Sequence, residues 1–251
     1  MEQHDHKHKP SILLVHGAFG DGSIWTQVIQ NLQQRRFNVV ASQLPLTSVA
    51  ADVKTVQRDL AALAGPTVVV GHSYGGVVIT QAAAGATNVA SLVYIAAFAP
   101  DTGESIESIL TRYPPLPSAQ FLVPIDPHEN PPFLILQRDK YHQFACQDVP
   151  QQTAAVLAAA EGATSATSVS EPIYGPPAWR QFPTWYQISS NDRMIQPAAQ
   201  EMMAARATRS DRTISISTGH CSMVSCPERV TTFIEQAAHT YPRAAHRRAS
   251  A

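Results

Sequence analysis

Short unbroken runs of apolar residues, rich in valine and isoleucine, alternate along the chain with longer stretches in which apolar residues return every three or four positions. Continuous β-branched runs of four to seven residues suit strands buried on both faces of a parallel sheet. They predict strands at 12–15, 38–41, 67–70, 91–97, 184–189 and 213–217. Between the first two, Ile24, Trp25, Val28, Ile29 and Leu32 make one helical face; between the second and third, Val49, Val53, Val56, Leu60 and Leu63 do the same. After the sixth, Pro227 sits where a first helical turn tolerates it, and Val230, Phe233, Ile234 and Ala237 carry the pattern on. The expected architecture is α/β: a mostly parallel sheet of about six strands with helices on both faces.

One segment breaks this rhythm. Residues 101–180 hold Pro114, Pro115, Pro117, Pro124, Pro127, Pro131 and Pro132, then an alanine-rich helix candidate at 151–161, then Pro172, Pro176 and Pro177. So long a stretch without a strand pattern reads as an inserted cap over the carboxyl ends of the strands. Its Phe121, Phe133, Tyr141, Phe144, Leu157 and Trp179 are pocket candidates, and equally candidates for plain packing. The expected division is a His-rich leader at 1–10, a core at 11–100 and 181–240, the cap at 101–180, and a polar tail at 241–251.

The strongest chemical signal is Gly71-His72-Ser73-Tyr74-Gly75-Gly76, which joins the third strand to a helix-compatible run starting at Val77. A bare G-x-S-x-G arises by chance in about one chain of this length in ten. The strand before and the helix after are what make it a nucleophile elbow, a sharp turn that lifts the serine hydroxyl above the sheet. A serine needs a base to take its proton and an acid to orient that base. His220 lies just beyond the sixth strand, and Asp192 follows the fifth in Ser189-Ser190-Asn191-Asp192-Arg193. Asp101, after the fourth strand, is the alternative acid. The oxyanion donors expected are the backbone N–H groups of Tyr74 and Ala18, with Phe19 as fallback for the second. His16 and His72 read as structural neighbours of the elbow.

Composition narrows the partners. The formal charge of −1 over 251 residues offers no field for nucleic acid or an anionic membrane. The leader lacks the apolar centre of a secretion signal, so a cytoplasmic location is expected, as monomer or homodimer. Cys146, Cys221 and Cys226 are too few for a disulfide framework and are expected as reduced thiols, with spacing alone leaving a Cys221–Cys226 bridge open. His4, His6 and His8 alternate in a tract able to chelate a metal, but no further ligand lies near them in sequence. No metal or cofactor is expected.

Leu14-Val15-His16-Gly17-Ala18 with Trp25 downstream, Gly71 to Gly76, Tyr94 to Asp101, Asn191-Asp192-Arg193, and Gly219-His220 through Met223 to Pro227 together resemble the α/β-hydrolases. Within them, the chain is similar to the branch holding plant methyl-ester esterases, hydroxynitrile lyases and bacterial esterase-like relatives. That resemblance implies a serine carboxylic-ester hydrolase for a small to medium, largely uncharged ester, working through an acyl-enzyme on Ser73. Lyases of this branch carry a lysine directly after the histidine, where this chain has Cys221. The serine nucleophile also departs from dehalogenases and epoxide hydrolases, which use aspartate. Lyase-like or cofactor-free dioxygenase chemistry with His220 as base, and a receptor-like binding role, are the alternatives.

Overall fold

The apolar runs assemble into one six-stranded sheet in the computed structural model, which describes residues 9–240. Its strands are β1 (Ser11–Val15), β2 (Val39–Ser42), β3 (Thr67–His72), β4 (Val89–Ile95), β8 (Thr184–Ser189) and β9 (Thr213–Ile216). Their order is β2-β1-β3-β4-β8-β9, and every neighbouring pair is parallel. The fourth strand stops two residues earlier than expected because Ala96 takes a left-handed φ of 43°, which no strand accommodates. The leader histidines His4, His6 and His8 and the tail from residue 241 lie outside the described residues.

Alternate side chains of the sheet feed two separate cores. Ile12, Leu14, Val68, Val70 and Val93 point to one face, where they meet Val28 and Leu32 of α1 (Thr26–Gln34) and Phe233 and Ile234 of α10 (Pro227–His239). Leu13, Val15, Val69 and Leu92 point to the other. There they pack on α2 (Val49–Ala61), α3 (Gly75–Ala82) and α8 (Pro197–Ala207). Pro227 occupies the first turn of α10, and the Ser48 hydroxyl caps α2 by accepting the Ala51 N–H at 3.1 Å. Among the described residues no helix is long and apolar enough to cross a membrane.

Between β4 and β8, the chain does not lack strands as its sequence suggested. It contains β5 (Leu122–Pro124), β6 (Phe133–Leu136) and β7 (Thr164–Ser165), a small antiparallel sheet in the order β5-β6-β7. Strands of three, four and two residues are too short to show an alternation. Pro124 ends the first and Pro131-Pro132 precedes the second, so the prolines bracket the ladder rather than forbid it. The same stretch of chain holds α4 (Ile106–Leu110), α5 (Arg138–Phe144), α6 (Gln151–Ala159) and α7 (Thr167–Ser170); α9 (Ser222–Ser225) follows β9.

Candidate active site

Ser73 sits at the turn between β3 and α3 with φ at +52°, a conformation a non-glycine residue holds only where its surroundings impose it. Its carbonyl accepts the N–H groups of Gly76 at 3.0 Å and Phe98 at 3.1 Å, which pins the turn to the end of β4. Gly75 lets α3 start against the end of β1: a Cβ there would lie 2.5 Å from the His16 carbonyl oxygen. The sharpness of the turn therefore comes from backbone crowding on both sides.

Asp192, on the loop after β8, is 5% exposed and fully engaged. Its Oδ1 accepts the N–H groups of Met194 at 2.7 Å and Ile195 at 3.0 Å. Its Oδ2 accepts Gln200 Nε2–H at 2.8 Å and His220 Nδ1–H at 2.7 Å. A carboxylate accepting at Nδ1 leaves the His220 Nε2 lone pair free to take a proton. Asp101 is occupied elsewhere: its carboxylate pairs with Arg180 at 2.5 Å and accepts the Thr102 N–H at 2.7 Å.

The other two histidines are held by their hydrogen bonds. His16 Nε2 accepts the Leu44 N–H at 3.0 Å, so its proton is on Nδ1 and goes to the Gly17 carbonyl at 2.8 Å. Burial lowers its basicity further. His72 packs its ring 4.5 Å from that of His220 and donates Nε2–H to the His220 carbonyl at 3.1 Å. Desolvation, with His220 as a nearby second cause, holds its pKa well below the usual imidazole range. His72 thus stays neutral and braces the loop that carries His220.

Beside Ser73, the backbone N–H groups of Ala18 and Tyr74 have no hydrogen-bond partner among the described residues. The Phe19 N–H is taken, donating to Thr164 Oγ1 at 3.1 Å. Gly17 is what brings the first of these donors close, because a Cβ on it would lie 2.8 Å from Ser73 Cβ. One contact escaped the sequence reading: the Tyr74 hydroxyl donates to Asp52 Oδ2 at 2.5 Å, and Asp52 Oδ1 accepts the Leu46 N–H at 2.8 Å. Burial raises the Asp52 carboxyl and the Tyr74 phenol alike. The available signal was an aspartate set among Val49, Val53 and Val56 on a helix face that packs inward.

The model of the alpha/beta hydrolase family matches residues 12–232. The chain belongs to the α/β-hydrolase family. Alpha/beta hydrolase nvfD of Aspergillus novofumigatus is 25% identical over 249 residues, covering 92% of this chain and 97% of that protein. A pyrethroid hydrolase from Sphingobium faniae JZ-2 shares the fold with a TM-score of 0.78 at 21% identity, over 92% of this chain and 98% of its own. A methylesterase from Arabidopsis does so with a TM-score of 0.73 at 16% identity, over 92% and 99%.

In this α/β-hydrolase the cavity above Ser73 is walled by Ile24, Phe98, Leu110, Leu136, Tyr141 and Val169, among others. Of the six side chains the sequence offered as pocket candidates, Tyr141 alone lines this cavity. Phe121 instead stacks on Phe144 with ring centroids 5.2 Å apart, and Trp179 donates Nε1–H to the Pro100 carbonyl at 2.9 Å. The insertion also grips the loops beneath it. Asp148 Oδ2 accepts the Gly219 N–H at 2.8 Å, Gln147 Nε2 donates to the Asn191 carbonyl at 2.7 Å, and Arg193 donates to the Gln143 carbonyl at 2.9 Å. Those bonds flank His220 and Asp192 in sequence.

Proposed function

We propose that this α/β-hydrolase is a serine carboxylic-ester hydrolase for small to medium, largely uncharged esters. The observation that carries the reading is the contact of Asp192 Oδ2 with His220 Nδ1 at 2.7 Å, in a cavity lined by both His220 and a serine at φ +52° that is flanked by two backbone N–H groups without a partner among the described residues. Ser73 Oγ attacks the ester carbonyl as His220 Nε2 takes its proton, and Asp192 stabilises the imidazolium without being protonated itself. The oxyanion faces the N–H groups of Ala18 and Tyr74. As the C–O bond breaks, His220 returns the proton to the departing alkoxide, leaving the acyl group on Ser73. Water, deprotonated by His220, then releases the acid and restores the serine.

The apolar walls of the cavity support the uncharged substrate class, since a charged group there would lose its hydration without a countercharge. Relatives in fold named as a pyrethroid hydrolase and a methylesterase fit the same chemistry. Cys221 argues against cyanohydrin cleavage. It is 1% exposed, and its hydrogen bond with Cys146, together with burial, pushes its thiol well up, so it brings no charge where a lyase holds cyanide with a lysine.

The test is steady-state hydrolysis of p-nitrophenyl acetate, butyrate and octanoate by wild type, Ser73→Ala and His220→Ala. Both variants should lose about three or more orders of magnitude in kcat. Absence of wild-type turnover on all three esters, together with no labelling of Ser73 by an organophosphonate, would overturn the reading.

A further inference from the structure

The ester mechanism leaves one pair of nucleophilic side chains unused. Cys146, just past the end of α5, has its Sγ 2.7 Å from that of Cys221, the residue after His220, although 75 positions separate them in sequence. Both are buried, at 0% and 1% exposure. A disulfide needs its sulfurs about 2.05 Å apart, so bonding requires the pair to close by about 0.7 Å. The seam around them is already fixed on either side by the bonds from Gly219 to Asp148 and from Gln147 to Asn191. Cys226, five positions further on, has no sulfur partner among the described residues.

Access is asymmetric. Cys221 belongs to the lining of the cavity above Ser73 and Cys146 does not, so an oxidant small enough to enter the cavity meets Cys221 first.

We propose that Cys146 and Cys221 form a reversible oxidation site, at which hydrogen peroxide joins the two thiols in a disulfide that staples the insertion to the loop carrying His220. The Cys221 thiolate attacks a peroxide oxygen and breaks the O–O bond, giving a sulfenic acid and, after protonation, one water. The Cys146 thiolate then attacks the sulfenic sulfur, the S–S bond forms, and the hydroxyl leaves as a second water. Two electrons pass from the sulfurs to the peroxide, and a thiol such as dithiothreitol reverses the change by exchange. Because the Cys146 contact and then burial raise the Cys221 thiol, its thiolate is scarce at neutral pH, and the reaction quickens as pH rises.

The experiment uses full-length Cys226→Ser protein, in which Cys146 and Cys221 are the remaining cysteines. It is treated with hydrogen peroxide at pH 8, and free thiols are then alkylated. The expected product is a monomer lighter by two hydrogen atoms, with no alkyl label, yielding a linked peptide that contains both cysteines. Its Tm should rise by several degrees, and dithiothreitol should return both thiols and the original Tm. Wild type should yield the same linked peptide. Cys146→Ser should give none and show no gain in Tm with peroxide. Full alkylation of both thiols after peroxide, sulfinic or sulfonic acids without a linked peptide, or cross-linked dimers alone would each overturn the proposal. Mass and thiol count are read without any substrate, so the result stands apart from the esterase reading.

Discussion

Gly17→Ala tests the oxyanion geometry with one added carbon. Its Cβ would lie 2.8 Å from Ser73 Cβ and 3.1 Å from His72 Nδ1. Non-bonded carbons rest at about 3.5 Å or more, so the loop must retreat from Ser73 by about 0.7 Å. His72 cannot yield instead, because its ring is held between His220 at 4.5 Å and the edge of Trp25 at 6.3 Å. The retreat therefore carries the Ala18 N–H away from Ser73 and from the oxyanion position proposed beside it. An N–H···O contact stretched from about 2.9 to about 3.6 Å is no longer a hydrogen bond. Losing one such donor costs about 2.7–4 kcal/mol in the transition state, or roughly 100- to 1,000-fold in kcat. Overpacking costs about 1–3 kcal/mol of stability as well. Gly20→Ala is the matched control: it stands in the same loop, where a Cβ meets nothing nearer than the Ala18 carbonyl oxygen at 4.0 Å. The assay is p-nitrophenyl butyrate hydrolysis, with organophosphonate titration counting competent sites and circular dichroism checking the fold. Gly17→Ala should lose kcat with KM nearly unchanged, while Gly20→Ala stays within about threefold of wild type. A Gly17→Ala enzyme within tenfold of wild type, or an equal loss in Gly20→Ala, would refute the argument.

Three further outcomes follow from other contacts. Asp192→Asn should lower kcat by about four orders of magnitude by disturbing the His220 tautomer, while Asp101→Asn, which breaks only a partly exposed pair with Arg180, should change kcat little; steady-state rates of the two decide, and the reverse ranking would move the acid. Tyr74→Phe leaves Asp52 Oδ2 buried without its donor and should cost about 1–3 kcal/mol in urea unfolding with kcat nearly kept, since the oxyanion donor proposed there is the backbone N–H. Glu161 has a buried Oε2 without a partner among the described residues, and burial, against the pull of the Leu136 N–H, raises its carboxyl from 4.5 to about 7. The folded protein thus holds this proton more tightly than the unfolded chain, so stability falls as pH climbs from about 4.5 to 7 and the full cost persists above. Discounted for partial solvent screening, that cost is about 1–2 kcal/mol. Glu161→Gln should recover it at pH 8 and gain nothing at pH 5, and equal gains at both would sink the assignment.

What could be read in the sequence follows the range of the forces involved. The central strands β1, β3 and β4 announce themselves because they are buried throughout and carry runs of valine, isoleucine and leucine, while the partly buried edge strands β2 and β9 and the mixed β8 are marked mainly by their place in the alternation with helices. Ser73 is marked by its glycines, whose absent side chains report backbone crowding. Asp192 and His220 were placed by strand order alone, and the structure brings them to 2.7 Å. Contacts between distant segments left no trace. The sequence favours Ala18 over Phe19 as donor but holds no sign that Thr164, 145 positions away, takes the Phe19 N–H. The small sheet of the insertion was hidden by its short strands, and the meeting of Cys146 with Cys221 by the 75 positions between them.

The insertion bonds three of the loops that carry candidate catalytic groups, those of Ala18, Asp192 and His220. Thr164 holds the loop of Ala18, Gln147 and Arg193 join it to the loop of Asp192, and Asp148 holds the residue before His220. It therefore cannot be exchanged as a detachable specificity module. A chimera that grafts a relative's insertion onto this sheet must carry over 143–148 and Thr164, or recruit equivalent donors and acceptors at the junction. Recombination points inside 101–180 that spare those positions should retain turnover while changing which esters fit. Points that cut through them should yield folded proteins whose catalytic loops have lost their register.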